Sequence, residues 1–224
     1  MTDTVLILRT CDKDGKSHGG FQWPLEVGAT CTAPDWSPEN ECGHGLHGAL
    51  WGEGDGDLFS WDSDALWMVV ETDAASVVDL GGKVKFPSCV IRHVGDRMTA
   101  TAYLANYRKG AIIGGTSTSG FRGTSTSGDR GTSTSGDCGT STSGDRGTST
   151  SGNYGTSTSG DHGTSTSGYR GTSTSGYGGI VVCRWLDTSA GRYCVTVGYC
   201  GENGIKPNTP YRCNEHGALV EAQK

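Results

Sequence analysis

The chain lacks several features that would assign it to a common class of protein. Its 224 residues include no apolar run long enough to cross a membrane as a helix. Neither a Gly-x-Ser-x-Gly nucleophile motif nor a phosphate-binding glycine loop occurs, although 38 residues are Gly. Residues 1–10 combine an acidic start with a short apolar run, which does not match a secretion signal. We therefore expect a non-enzymatic protein of the cytoplasm, with no cofactor and no membrane partner.

The cysteine pattern argues against a disulfide framework, and the charge distribution argues against a nucleic-acid partner. The nine Cys are an odd number and form no Cys-x-x-Cys pair, which favours a reduced compartment over a disulfide framework. Residues 1–114 carry 16 acidic and 9 basic side chains, residues 115–178 carry four of each, and residues 179–224 have a net charge of +1. The acidic N-terminal region argues against a nucleic-acid partner.

Eight uninterrupted copies of Gly-Thr-Ser-Thr-Ser-Gly-x-x occupy residues 115–178. A strict period is typical of a repeat architecture. Within each octad the alternation of Thr and Ser matches a β-strand, in which successive side chains point to opposite faces. The Gly-x-x-Gly between strands predicts a sharp turn, because Gly tolerates positive φ. The repeats therefore predict strand and turn alternating every eight residues.

The variable positions of the octads indicate how many octads form one coil, because residues stacked one coil apart should share chemistry. A 24-residue coil would stack Phe121, Asp145 and Tyr169, which share none. A 16-residue coil instead stacks an acidic column beside a basic one, made of Asp129, Asp145, Asp161, Arg130, Arg146 and His162. The prediction is a mainly β protein with a two-sheet β-solenoid of about four 16-residue coils, in which these corner columns pair structurally.

Side-chain size predicts which face of each strand is inside. Two sheets joined by such short turns lie too close for large side chains, so we expect Ser inside and Thr outside. The outward Thr-x-Thr rows are then the candidate binding surface. Its residues are Thr116, Thr118, Thr124, Thr126, Thr132, Thr134, Thr140, Thr142, Thr148, Thr150, Thr156, Thr158, Thr164, Thr166, Thr172 and Thr174. The alternative for this segment is a flexible Gly/Ser/Thr linker, since such a composition commonly stays disordered.

The octad resembles the repeat of bacterial ice-nucleation proteins. Residues 167–174 have the sequence Ser-Gly-Tyr-Arg-Gly-Thr-Ser-Thr, in which Gly168, Tyr169, Thr172 and Thr174 match the Ala-Gly-Tyr-Gly-Ser-Thr-x-Thr unit of that family. The resemblance covers the repeats and implies similar coils with outward Thr-x-Thr rows. Members of that family have many more coils and membrane-associated or secreted settings.

The flanking regions predict two further parts. Residues 1–114 predict an α+β N-terminal domain and cap, whose clearest helix spans 96–108. Residues 179–224 predict a small β cap with strands at 180–185, 193–199, 211–213 and 218–220. The whole chain also resembles an uncharacterised bacterial and phage family with octapeptide repeats between similar ends. For a phage-encoded member, the cytoplasm would be that of the host.

Three residues near the start of the chain are candidate metal ligands. Cys42, His44 and His47 place thiolate and imidazole donors at close spacing, and Cys31 could add a fourth. The spacing is not that of a standard zinc finger, so a Gly-rich turn without metal is the alternative. Glu53, Asp55 and Asp57 similarly suggest either a cation loop or a solvated acidic loop.

Three functions follow from these features. The first is a non-enzymatic binding or self-assembly scaffold that displays the Thr rows and associates with further copies through its solenoid or caps. The second is a phage-type effector that binds a host protein or a small ligand through its acidic N-terminal domain. The third is a metal-dependent enzyme centred on His44 and His47.

Overall fold

The computed structural model of the protein describes residues 3–222. The chain divides into two compact units, Met1–Ile113 and Gly114–Lys224. It is mainly β, with 41% strand and 7% helix, and the repeats form a β-solenoid of about four turns. The predicted fold class is confirmed, and the repeats are not a flexible linker.

The first unit is built on one antiparallel sheet of seven strands, and within the described residues it has one α-helix, which follows the last strand. The strands lie in the order β2-β7-β4-β1-β3-β6-β5. The elements are β1 (Thr4–Cys11), β2 (Thr30–Thr32), β3 (Leu46–Leu50), β4 (Leu66–Asp73), β5 (Val78–Asp79), β6 (Val84–Phe86), β7 (Ser88–Gly95) and α1 (Arg97–Ala105).

The two central strands of this sheet are apolar on both faces. In β1, Leu6 and Leu8 pack into one buried cluster, whereas Ile7 packs into another on the opposite face. Alternation along a strand explains this division, since neighbouring residues point to opposite sides. Both faces of the sheet are therefore covered, which accounts for the unbroken apolar runs in the sequence.

Helix α1 covers one of those faces. Ala100 and Leu104, four residues apart on the helix, are buried in the same cluster as Leu6 and Leu8. The helix begins after Asp96, whose carboxylate accepts a hydrogen bond from the Thr99 N–H at 2.8 Å. The helix expected over 96–108 is thus present but shorter, and its apolar face belongs to the core of the first unit.

The second unit contains the eight repeat strands, one in each octad. They alternate between two parallel sheets, and each pairs with the strand 16 residues away, as Thr132 with Thr116 and Thr140 with Thr124. The strands are β8 (Thr116–Thr118), β9 (Thr124–Thr126), β10 (Thr132–Ser135), β11 (Thr140–Thr142), β12 (Thr148–Ser151), β13 (Thr156–Thr158), β14 (Thr164–Tyr169) and β15 (Thr172–Thr174). The predicted coil of 16 residues is confirmed.

Four strands follow the repeats: β16 (Ile180–Asp187), β17 (Arg192–Tyr199), β18 (Tyr211–Cys213) and β19 (Leu219–Glu221). Strand β16 adds parallel to β14, and β17 turns back antiparallel to β16. Strand β18 pairs with β15 and β19 pairs with β18. The first solenoid sheet therefore has the order β17-β16-β14-β12-β10-β8, and the second has the order β19-β18-β15-β13-β11-β9.

The interior of the solenoid changes where the repeats end. Among the repeats it is lined by Ser, and Ser133, Ser149 and Ser165 are fully buried. One coil later the register places Val181 opposite Ser165 and Cys183 opposite Ser167. Val181 then packs with Cys200 and Tyr211 in an apolar cluster. The C-terminal strands thus replace a polar interior with an apolar one.

The turns between octads correct one expectation about Gly. The residue with positive φ is the second variable residue of the octad, as at Arg130 (53°), Arg146 (53°) and Tyr154 (56°). The Gly at the sixth position of the octad is required instead by close stacking, because a Cβ on Gly144 would lie 2.6 Å from the backbone N of Asp129 in the preceding coil. Small size, and not positive φ, is what Gly contributes at this position.

Candidate functional surface

The two outer faces of the solenoid are covered by the sixteen Thr predicted from the sequence, none of which is buried. Identical residues stack in register from coil to coil, as Thr132, Thr148 and Thr164 do in the first sheet. Adjacent rungs are about 4.8 Å apart, and the two Thr of one strand are about 6.6 Å apart. The first sheet carries Thr116, Thr118, Thr132, Thr134, Thr148, Thr150, Thr164 and Thr166. The second sheet carries Thr124, Thr126, Thr140, Thr142, Thr156, Thr158, Thr172 and Thr174.

The outward row of the first sheet continues beyond the repeats with apolar residues. Ile180 stands opposite Thr164, and Val182 stands opposite Thr166. In the next strand Tyr199 and Val197 follow as the partners of Ile180 and Val182. The same face therefore changes from Thr to mainly aliphatic and aromatic side chains toward the C-terminal edge of the sheet, with the exposed Arg184 of β16 also on it.

The corner columns are present, and the acidic column has a structural role that the sequence reading missed. The Asp129 carboxylate accepts a hydrogen bond from the Asp145 N–H at 3.0 Å, and that of Asp145 accepts one from the Asp161 N–H at 2.8 Å. Asp161 does the same for the Tyr177 N–H at 2.7 Å. Each side chain thus binds the backbone of the next coil. Arg130, Arg146 and His162 occupy the positive-φ position beside these residues.

The opposite corner uses the same contact. Asp137 accepts a hydrogen bond from the Asn153 N–H at 2.7 Å, and Asn153 accepts one from the Tyr169 N–H at 2.9 Å. The signal was present in the sequence, because the first variable residue is Asp or Asn in five consecutive octads. A side-chain oxygen at this position is a common turn device.

The structure does not bring the three metal candidates together. The Cys42 thiol contacts the Lys83 Nζ at 2.9 Å, and this hydrogen bond lowers the pKa of Cys42. His44 Nδ1 lies 3.4 Å from Asp35, whereas burial lowers the pKa of His47. Cys31 lies opposite Cys89 in the pairing of β2 with β7. Over residues 3–222, no group of three or more His, Cys, Asp or Glu is arranged to hold a metal ion.

The acidic loop is held by local contacts. Asp55 Oδ1 accepts a hydrogen bond from the Asp57 N–H at 2.9 Å and begins the short 3₁₀ helix Gly56–Leu58. Glu53 lies 3.9 Å from Arg108. Asp55 therefore acts as a helix cap, and Glu53 faces a basic side chain.

Fold and surface together define the class of the second unit as a β-solenoid repeat protein with Thr-rich faces. The chain is similar to an ice nucleation protein, InaU, of Pantoea ananas, with 37% identity over 108 residues. It is also 37% identical over 108 residues to an ice nucleation protein of Enterobacter agglomerans and 36% identical over 105 residues to one of Pseudomonas syringae. These matches cover 46–47% of the chain and 8–10% of each relative, so the chain spans about a tenth of the relatives' length.

The N-terminal region has a separate match. Residues 5–106 match the sequence family described as a domain of unknown function, DUF7666. No solved structure matches the chain.

The described residues contain no helix that is long and apolar enough to span a membrane.

The comparisons confirm the resemblance to ice-nucleation repeats. They also correct the expected location. The expectation of a cytoplasmic protein is wrong, because the ice nucleation proteins that the chain matches are anchored to the outer membrane.

Proposed function

We propose that the chain is a non-enzymatic scaffold whose Thr faces bind ordered water at the surface of ice. The observation that carries this proposal is the in-register stacking of Thr over four coils on each of two outer faces. The similarity to proteins named for ice nucleation supports it.

The chemistry of the surface suits a regular layer of water. Each Thr presents one hydroxyl, which both donates and accepts hydrogen bonds, beside one methyl group. The strand ladders fix the spacing of these hydroxyls, so little side-chain freedom is lost when a ligand with matching spacing binds. A rigid lattice of water molecules is such a ligand.

The size of the surface determines what should be measured. Four rungs give a face roughly 19 Å tall. Since the chain spans about a tenth of the length of the ice nucleation proteins that it matches, we expect binding to existing ice crystals to be its most readily detected activity.

The C-terminal strands complete the scaffold in this proposal. Strands β16 and β18 pair with β14 and β15, the last repeat strands of the two sheets. Residues 179–224 therefore act as a cap for the repeat strands β14 and β15, whose edges would otherwise be open to pairing.

An ice-recrystallisation assay with face-specific variants tests the proposal. Replacing Thr132 and Thr148 by Tyr places bulky side chains on two central rungs of the first sheet and keeps a residue type that favours strands. Thr140 and Thr156, changed in the same way, test the second sheet. We expect the fourfold variant to lose inhibition of recrystallisation.

The matched control is Thr30→Tyr, since Thr30 is an exposed strand Thr in the first unit. It should retain full activity, and thermal melting should show that all variants are folded. Full activity in the folded fourfold variant, or no activity in the wild-type chain, would contradict the proposal.

A further inference from the structure

Strand β17 is one of the two edge strands of the first solenoid sheet, and β8 is the other. Strand β17 forms eight consecutive residue pairs with β16, and no other strand among residues 3–222 pairs with its second edge. Its sequence, Arg-Tyr-Cys-Val-Thr-Val-Gly-Tyr, contains neither Pro nor Lys, and its pairing with β16 has no bulge. Proteins normally protect edge strands with such features, so an unprotected edge of this length is a template for a further strand.

The outward side chains of β17 are aliphatic or aromatic and exposed. Tyr193, Val195, Val197 and Tyr199 have exposed fractions of 49%, 64%, 46% and 52%. They alternate along the strand and therefore form one row on the outer face of the sheet. Water thus contacts a largely apolar row beside an open backbone edge, and the Arg184 guanidinium lies 4.0 Å from the ring centroid of Tyr193.

The order of these side chains points to a second copy of the same chain. The row has the order Tyr, Val, Val, Tyr and is unchanged when the strand is reversed. An antiparallel pair of β17 strands with its two-fold axis at Thr196 places Tyr193 opposite the partner copy's position 199. The same register places Val195 opposite position 197. Cross-strand pairs of this kind stabilise a sheet.

Charge at the two ends of the strand agrees with the same arrangement. Arg192 begins β17, and Glu202 lies in the turn after it. Both are exposed. Antiparallel pairing brings the basic end of each copy toward the acidic turn of the other, and the two-fold axis forms this contact twice.

We propose that two copies of the chain associate through antiparallel pairing of their β17 strands, centred on Thr196. In this register, outward residues of one copy pair with outward residues of the other. The outer faces of the first solenoid sheets of both copies therefore lie on the same side of the dimer. The two six-stranded sheets then become one continuous sheet. The dimer places the Thr faces of two copies side by side. The use of this larger Thr surface rests on the proposed function, whereas the dimer itself does not.

Charge reversal across the interface tests both the dimer and its register. A variant with Val195→Lys and Val197→Lys places Lys opposite Lys at both central pairs, and a variant with Val195→Glu and Val197→Glu places Glu opposite Glu. In sedimentation equilibrium each variant alone should show half the mass of the wild-type assembly. An equal mixture should recover the dimer mass, because each Lys then faces a Glu.

The control is Val27→Lys, since Val27 is an exposed apolar residue of the first unit with 61% exposure. This variant should remain dimeric. A wild-type chain that stays monomeric at every concentration, or a folded Lys variant that stays dimeric, overturns the proposal. Failure of the mixture to recover the dimer overturns the register. A dimeric wild-type chain without activity on ice would overturn only the proposed function.

Discussion

At the residue scale, the buried Ser of the solenoid have identical neighbours in sequence but different contacts. The Ser141 hydroxyl donates a hydrogen bond to the Thr150 carbonyl at 2.7 Å. The Ser149 hydroxyl is equally buried and has no hydrogen-bond partner among the described residues. Burial of a hydroxyl without a partner costs free energy, whereas a buried hydroxyl that is hydrogen-bonded stabilises the fold.

This difference gives a matched pair of variants. Ser141→Ala should lower the free energy of unfolding by about 1 kcal/mol, because a buried hydrogen bond is lost. Ser149→Ala removes only the unpartnered hydroxyl, and we expect it to leave stability unchanged or to raise it. Urea unfolding followed by circular dichroism measures both. Equal losses in the two variants would show that the two hydroxyls are equivalent.

The inward position of Ser was predictable from its size, but its individual hydrogen bonds were not. Every octad has the same Ser-containing sequence, so nothing local distinguishes Ser141 from Ser149. The difference arises from how the two sheets face each other. The role of the turn Gly was hidden for the same reason, since the atoms that exclude a Cβ at Gly144 belong to the preceding coil.

At the scale of elements, the turns are connected to one another by side-chain oxygens. Asp145 is central in this series, because its carboxylate accepts from the Asp161 N–H while its own N–H donates to Asp129. The geometry needs one side-chain oxygen at this position and no charge, and Asn153 fills the same role at the opposite corner.

We therefore expect Asp145→Asn to be tolerated and Asp145→Ala to destabilise the solenoid. The Ala variant loses an exposed hydrogen bond worth about 0.5–1 kcal/mol. Thermal unfolding of the two variants side by side measures the difference. A loss of the same size in the Asn variant would mean that the charge of the Asp column matters more than its hydrogen bonds.

The strands of the repeats could be predicted because Thr and Ser alternate with the period of a strand. The order of the seven strands in the first unit could not, because it depends on contacts between distant segments. Strand β1, for example, lies between β4 and β3, which are not its neighbours in sequence order. The candidate metal ligands show the same limit: Cys42 contacts Lys83, which is 41 residues away.

At the scale of the whole molecule, the coil and not the octad is the unit of construction. Alternate octads belong to different sheets, and each strand pairs with the one 16 residues later. Removal of two octads keeps every remaining strand in its sheet. Removal of one octad would move all later strands to the opposite sheet, including β16, whose Val181 fills the apolar interior.

Deletions of the two lengths test this directly. A chain without residues 131–146 should fold and retain a cooperative thermal transition, since each remaining strand still meets a strand of the same sheet. A chain without residues 131–138 should lose that transition or precipitate, because the C-terminal strands then arrive at the wrong sheet. Equal stability of the two deletions would contradict the importance of the 16-residue coil.

The positive-φ corner also has a consequence for protein engineering. Across the two corners of the coils, the residues with positive φ include Arg, Cys, Tyr and His, so the fold does not prescribe the chemistry of these side chains. Cys138 already offers an exposed thiol there. Substitutions at this position could therefore place one chosen functional group on each coil, with the constant spacing of the coils between successive groups.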